Sequence, residues 1–409
     1  MTESRESDGR ASDGLVLDGV IDPRLRVAAV QASPVFLDRD ATVDKACDLI
    51  AEAAAEGAQL IVFGENFLPG HPVWFHTLPP TDVRSMELAE RLVENAITIP
   101  GPETERLGAA AQAAGAMIVM GVVEQPEPGI SVIHSSQLVV AADGTIAGLR
   151  RKIVPAVGER VFLTPGAGDS IRVFESPWGP ISALAGGENS NPLLTYALRT
   201  MGARIHVAGW PPHFHKPGIM HGVMTITGRA VAYQNSAYVI SVAGAADPSV
   251  AEQVAGTEAH RENLEAMTSD PGSVIYAPRG KLLAGPLHGE GILYADIDPT
   301  AGTWAQLVNR QYDRPDLLKL VVSTQPQGPG TEFVDGPLTG GPRHGDEATT
   351  AEAIRLIRER YGDRISAEDA EELLPYVAQV ISRSEQLEAL DLTTDDPRTT
   401  GYGRAVDAG

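Results

Sequence analysis

Residues 181–203 read ISALAGGENSNPLLTYALRTMGA, and the change of character within this stretch decides the fold class. The apolar run Ile181 to Ala185 has the length and composition of a buried strand. It passes through Gly186-Gly187 into a helical pattern, for which Asn191 can serve as N-cap and Pro192 as first helical residue. A sharp strand-to-helix turn lifts whatever sits at its tip over the end of a sheet, where free backbone N–H groups and the helix N-terminus stabilise negative charge. That is the geometry of a nucleophile elbow, yet position 186 has no side chain. On this segment alone, glycines that merely make the turn account for the residues equally well.

Outward from the elbow, strands and helices alternate. VAAVQAS (27–33) and AQLIVFGE (58–65) read as strands flanking a helix from Val43 to Ala55, and a helix from Glu103 to Ala114 precedes the strand AMIVMGVVE (116–124). SSQLVVAADGTIAGLRRKIV (135–154) reads as a hairpin turning at Asp143-Gly144. Four more strands follow, ARIHVAGW (203–210), AYVISVAG (237–244), GSVIYAPRG (272–280) and GILYADID (291–298), with helices over Pro192–Met201 and Gly222–Asn235. Strands apolar on both faces and interleaved with helices predict a layered α/β domain.

The ends of the chain read differently. Residues 1–25 are polar and acidic, without the basic start and apolar run of a secretion signal. Gly and Pro accumulate over 327–349, which reads as an arm, and 350–392 as a helical extension. Its first helix spans Ala351 to Tyr361, and a second begins at Ser366 with Glu368 and Asp369 in its first turn. Residues 393–409 read as a disordered tail, leaving 26–326 as the principal domain.

Composition narrows the function. A chain of 409 residues with 43% apolar content can bury a large core, and a net charge of -22 repels phosphate backbones and anionic membrane surfaces. Neither nucleic acid nor a membrane is expected as a partner, and no window is apolar for long enough to cross a bilayer. One cysteine, Cys47, rules out an intrachain disulfide and a cysteine-cluster metal site, so a cytoplasmic setting is expected. Cys47 falls on the stripe of its helix with Val43, Ala46, Ile50 and Ala54, where a buried small hydrophobe is expected. Lysine is scarce, 5 against 27 arginines, so a catalytic amine comes from a short list.

Two further segments carry titratable groups in suggestive places. AQLIVFGE ends in Glu65, followed by the Pro-, Gly- and aromatic-rich loop NFLPGHPVW; desolvation there raises a carboxyl pKa toward general-base range. An acid that only caps a strand fits as well. RRKIVPAVGER (150–160) places Lys152 just after a strand and Glu159 seven residues on, across a proline turn. A buried amine beside carboxylates stays charged and can hold a developing oxyanion, although Arg150, Arg151 and Lys152 together also fit a solvated basic turn. His71, His76, His213 and His215 match no strong metal-ligand spacing, and no phosphate-cradling loop or dinucleotide fingerprint is present, so neither metal nor cofactor is expected. His71, Trp74, Trp210 and Phe214 are candidates for lining a substrate pocket, with core packing the alternative for each.

In order and spacing these segments resemble the nitrilase family of the carbon–nitrogen hydrolase superfamily, over about Arg26 to Val322. The resemblance rests on AAVQASPVFLDRDATVDKA, FGENFLPGHP, IPGPETERLGAAAQAAG, RRKIVPAVGER, GGENSNPLLTYAL, AGPLHGEGILYADID and RPDLLKLVV. Several long matches in order are far more specific than one short motif. The proline-bearing GENSNPL elbow and RPDLLKL point to the nitrilases proper. The resemblance implies a four-layer α-β-β-α sandwich, a small-molecule substrate, and a homo-oligomer, dimeric or spiral. It implies Glu65 as general base, Lys152 as oxyanion-stabilising lysine and Glu159 as the second glutamate orienting the site. Gly187 and Glu188 match the two residues after the nucleophile, with the Gly187 N–H pointing into the oxyanion site. Gly186 falls where the family's cysteine attacks the nitrile carbon, and Gly64 stands where proline is usual.

Three readings follow. The protein acts at a carbon–nitrogen bond without a covalent intermediate, the missing side chain leaving room for about one water; or it is a nitrilase whose cysteine was replaced; or it is a scaffold that has lost catalysis. Neither Cys47, Ser182 nor Ser190 is placed by the sequence to take over at the elbow tip.

Overall fold

The computed structural model describes residues 24–212, 219–267, 272–300 and 320–322. The expected arm, the helical extension, residues 1–23 of the N-terminal tail, the C-terminal tail and most of RPDLLKLVV lie outside these residues, and the tail's expected boundary is corrected, since Leu25 is the buried first residue of β1. In chain order the elements are β1 (Leu25–Gln31), α1 (Arg39–Ala55), β2 (Leu60–Phe63), α2 (Val83–Glu94), α3 (Pro102–Ala114), β3 (Met117–Glu124), β4 (His134–Val140), β5 (Ile146–Arg151), β6 (Val173–Phe174), β7 (Ile181–Ala185), α4 (Pro192–Thr200), β8 (Ile205–Trp210), α5 (Ile219–Gln234), β9 (Tyr238–Ala243), α6 (Pro248–Val254), α7 (Glu258–Met267), β10 (Val274–Ala277), β11 (Lys281–Ala284) and β12 (Gly291–Ile297).

The strands form two six-stranded sheets, ordered β12-β1-β2-β3-β4-β5 and β11-β10-β9-β8-β7-β6. In the first, β1, β2 and β3 run parallel; in the second, β7, β8 and β9 do. The period-2 alternation of side chains sets the layers. Val27 and Ala29 of β1, with Leu60 and Val62 of β2, meet Ile181, Ala183, Ile205, Val207 and Ile240 of the other sheet. Ala28, Val30, Ile61 and Phe63 point the other way, onto Val43, Ala46 and Ile50 of α1 and Leu107 and Ala111 of α3. On the outer face of the second sheet, Ala208, Trp210 and Val239 pack on Met224, Val231 and Ala232 of α5. This is the expected four-layer α-β-β-α sandwich.

Local chemistry fixes the helix starts. The Asp38 side chain accepts from Ala41 N at 3.0 Å to open α1, and Asn191 accepts from Leu193 N at 3.0 Å to open α4, with Pro192 in the first turn as expected. The sequence reading missed α2, α6 and α7, which pack with Trp74 in a separate apolar cluster, and the short strands β6 and β11. Cys47 is corrected: it is only half-buried at the edge of the α1 stripe, and Ala53 rather than Ala54 completes the fully buried row.

The two sheets touch through their backbones where β2 and β8 end. Glu65 N donates to Trp210 O at 3.0 Å, and Gly244 N donates to the same oxygen at 3.2 Å. Glycines permit this approach. A Cβ on Gly64 would meet Gly244 N at 2.6 Å and Trp210 O at 2.9 Å; one on Gly121 of β3 would meet Asn66 N at 2.5 Å and Glu65 Cα at 2.7 Å. These neighbours are backbone and cannot rotate aside. Gly121→Ala should therefore destabilise the protein by about 2 kcal/mol or more, as overpacking against a rigid wall does. Urea unfolding measures it, and a wild-type midpoint would contradict the close approach.

Candidate active site

Ligand sites in open α/β sheets lie at the C-terminal ends of parallel strands, and the functional candidates collect there. β7 ends at Ala185, the chain makes a tight turn over Gly186–Ser190, and α4 follows. Gly186 has φ +52°, a left-handed conformation that glycine adopts without steric cost. Beneath the turn, Glu188 takes Arg150 in a two-pronged ion pair at 2.8 and 3.0 Å and accepts from Ile153 N at 2.7 Å and Ala185 N at 3.1 Å. Burial pushes the Glu188 carboxyl up, but the Arg150 guanidinium and the backbone donor outweigh it and hold it below the usual range. Glu188 lies in the elbow turn with its side chain turned to the fold rather than the cleft. Arg150 is buried too, which corrects the reading of RRK as a solvated basic turn.

Glu65, Lys152 and Glu159 come together in one buried cluster. Lys152 Nζ lies 2.6 Å from Glu65 Oε1 and 2.6 Å from Glu159 Oε2. Glu159 also accepts from Ala156 N at 2.7 Å, and the Ser135 hydroxyl donates to Glu65 Oε1 at 3.3 Å. Burial lowers the Lys152 pKa, but the two carboxylates overcome it and hold the amine above its ordinary value, so it stays an ammonium. Burial pushes Glu65 up to about 7, with Lys152 pulling down and the Glu159 charge adding to the rise. Glu159 is held low: burial raises it, and Lys152, His71 and the hydrogen bonds it accepts win.

Glu65 Oε2 is buried without a hydrogen-bond partner among the described residues. It faces Gly186. A Cβ built on Gly186 would lie 2.7 Å from Glu65 Oε2 and 3.1 Å from Lys152 Nζ. The space directly over the elbow tip is therefore bracketed by a carboxylate oxygen and an ammonium.

Gly186 also lines a cleft of about 510 Å³, together with His71, Phe75, His76, Ala156, Val157, Gly158, Glu159, Gly187, Pro211, Pro212 and Met220. His71 is 3.7 Å from Glu159 through Nε2, while its Nδ1 accepts from Asn66 Nδ2 at 3.1 Å. Trp74 and Trp210 do not line the cleft: Trp74 packs edge-on to Phe36 and Phe162, and Trp210 is buried under α5 with its indole N–H on Ser241 Oγ at 3.0 Å. Phe214, His213 and His215 lie outside the described residues. The sequence reading missed Phe75, Val157, Pro211, Pro212 and Met220 as lining; Phe75 and the two prolines sit one or two residues from positions that were singled out. Among the described residues, Glu65, His71 and Glu159 are the group whose ligand atoms lie within 4.8 Å of one another. Lys152 already holds both carboxylates and fills the role of a cation there.

The chain belongs to the carbon–nitrogen hydrolase family, whose model matches residues 26–306. Its relatives include a nitrilase of Pseudomonas syringae pv. syringae (strain B728a), 34% identical over 343 residues, covering 82% of this chain and 97% of that one. An aliphatic nitrilase of Rhodococcus rhodochrous is 34% identical over 306 residues, covering 72% and 81%. Among solved structures, a carbon–nitrogen hydrolase from Helicobacter pylori G27 superposes with a TM-score of 0.56 at 20% identity, covering 73% of this chain and 99% of that one. A glutamate-to-glutamine mutant of an amidase from Nesterenkonia sp. AN1, with acrylamide added at its active site cysteine, does so with 0.53 at 20% identity, covering 72% and 98%. These two share the fold. Among the described residues no helix is long and apolar enough to cross a membrane.

Glu188→Ala leaves Arg150 charged and buried without its carboxylate. It should destabilise the protein by about 3–5 kcal/mol, as breaking one side of a buried pair does. Chemical denaturation checks it, and a loss below about 1 kcal/mol would show that Arg150 finds another partner.

Proposed function

We propose that this protein acts at the carbon–nitrogen bond of a nitrile- or amide-type small molecule without a cysteine nucleophile, using Glu65 as base and Lys152 as electrostatic stabiliser. One observation carries this reading: the unpartnered Glu65 Oε2 and the Lys152 ammonium converge on the side-chain-free position over Gly186. A water there has a proton acceptor on one side and a cation on the other.

With a nitrile, the C–O bond forms as the water proton passes to Glu65 Oε2 and one C≡N π pair moves onto nitrogen. The proton returned to nitrogen gives an imidic acid, which tautomerises to the amide. Lys152 and the Gly187 N–H stabilise the charge that develops, and Glu159 holds Lys152 in place. Cys47, the chain's one cysteine, packs on the helix side of the first sheet and takes no part. Any side chain at 186 has to displace the carboxylate and bear backbone strain of about 1–2 kcal/mol.

We read the protein as self-associating and cytoplasmic. Exposed apolar side chains on α4 and α5, Leu193 at 61% and Ile226 at 71%, support the first, and the single cysteine fits the second.

The test is turnover of a nitrile and amide panel followed by mass spectrometry. Glu65→Gln should lower kcat by about 100-fold or more, whereas iodoacetamide should leave the wild type active. Unaltered activity in Glu65→Gln would exclude Glu65 as base. The base is competent when ionised, so the rate should rise with pH through a limb near 7, the value burial gives Glu65; a profile flat from pH 5 to 9 would count against it. Gly186→Ala should lower kcat by about 10-fold or more, because its Cβ intrudes on the space assigned to water; wild-type rates would show that this space is not used.

A further inference from the structure

A second buried polar chain lies behind the elbow, on β7 and β8, and the chemistry above does not use it. Ser182 Oγ is 2.8 Å from His206 Nδ1, His206 Nε2 is 2.9 Å from Asn189 Oδ1, and Asn189 Nδ2 donates to Gly186 O at 2.9 Å and to Leu184 O at 3.4 Å. All three side chains are at most 3% exposed. Polar groups buried this deeply are kept only where each finds its partner.

The donors and acceptors fix the Asn189 end of the chain, while the Ser182 hydroxyl has two acceptors within reach, His206 Nδ1 at 2.8 Å and Ile205 O at 3.5 Å, of which the ring nitrogen is the nearer. Two carbonyl oxygens face one end of the Asn189 amide, so that end is the NH₂ and the other is the oxygen. His206 Nε2 faces that oxygen and must carry a proton. Nδ1 is then the bare nitrogen of a neutral imidazole, and the Ser182 hydroxyl donates to it. Burial and the nearby Arg150 charge hold His206 far below its ordinary value, at about 3, which agrees with a ring that never charges in this range. The direction of donation runs from Ser182 through His206 and Asn189 to the carbonyl of Gly186.

That carbonyl belongs to the peptide plane shared with Gly187, which is not among the cis bonds of the chain. In a planar trans peptide the C=O and the next N–H point in opposite directions. Fixing Gly186 O on the buried Asn189 therefore turns the Gly187 N–H the other way. Gly187 lines the cleft, and nothing lies within 4 Å of where its Cβ would be.

We infer that His206 is a positioning residue: through Asn189 it locks the Gly186–Gly187 peptide so that the Gly187 N–H is aimed into the cleft as an oxyanion donor. The inference rests on the proposed function for the word oxyanion, and on hydrogen-bond geometry alone for the lock. Glycine at 186 makes a lock more necessary, because without a side chain the peptide on either side rotates at little cost.

The test uses the full chain and two kinds of readout. With [15N]histidine labelling, the His206 signals, assigned by their loss in His206→Gln, should report a neutral ring protonated at Nε2 from pH 5 to 9. A Nδ1-protonated or charged ring would overturn the assignment whether or not the protein turns over any substrate tested. In kinetics, His206→Phe keeps the ring volume without the donor. It should lower kcat by about 10- to 100-fold with KM within about threefold, the scale of a misaimed oxyanion donor. His206→Gln, whose amide can still donate to Asn189, should recover most of that loss. Equal losses in both variants, or a loss in KM rather than kcat, would overturn the role. Should His206→Phe not fold, the ring tautomer and the kinetics of His206→Gln against Ser182→Ala, expected to be milder than about 10-fold, decide it. The Glu65→Gln comparison is separate, so failure of the base and failure of the lock are distinguishable.

Discussion

The Lys152 ammonium between the Glu65 and Glu159 carboxylates is the interaction on which the rest of the site depends. Three charges are held almost out of water at hydrogen-bond distances, and desolvating them costs several kcal/mol per ion unless geometry and further donors compensate. The fold provides that compensation unevenly. Glu159 gains Ala156 N and the neighbourhood of His71 and is held ionised; Glu65 Oε1 takes Lys152 and Ser135, and its other oxygen is left bare. The asymmetry pushes one acid up toward neutrality and holds the other ionised, which is the separation that the role we propose for Glu65 requires.

Keeping such a cluster in register requires a rigid frame, and the sheets supply it by direct contact. The hydrogen bond from Glu65 N to Trp210 O ties the end of β2 to the end of β8, and Gln137 of β4 reaches across to Leu184 O of β7 at 3.2 Å. Arg150 extends the same bracing: from β5 it grips Glu188 under the elbow, while Lys152, two residues on, enters the cluster. The elbow and the amine are thus braced from nearly adjacent positions of one segment. Glycines at 64 and 121 allow the backbones to come this close.

Much of the arrangement was legible in the sequence because it is governed by local rules. Strand periodicity gave both sheets most of their members, and the Asn191-Pro192 cap marked where the elbow ends. Glu65 and Lys152 stand at strand ends and Glu159 follows across a proline turn, but each also fits a bland reading, and it is the resemblance of FGENFLPGHP and RRKIVPAVGER to the nitrilase family that groups them. What was not legible depends on partners far away in the chain. Nothing in RRK shows that Arg150 is buried, because its carboxylate lies 38 residues further on. Trp74 follows a Pro- and Gly-rich loop and Trp210 ends β8 just before two prolines, and the sequence there is the same whether an indole faces cleft or core. His206 lies in an apolar strand, and its value as a donor emerges only when Ser182 and Asn189 are brought to either side of it. The short helices α6 and α7 depend on packing rather than on a long periodic run.

In the function proposed, the space over Gly186 is worked by a hydrogen-bonded cluster and not by a covalent side chain. Intact-protein mass spectrometry during turnover tests it most directly, with the reaction quenched in acid at steady state on the best nitrile or amide of the panel. The account predicts a chain of unaltered mass while product accumulates. A steady-state adduct with the mass of an acyl or imidoyl group on the protein would contradict it.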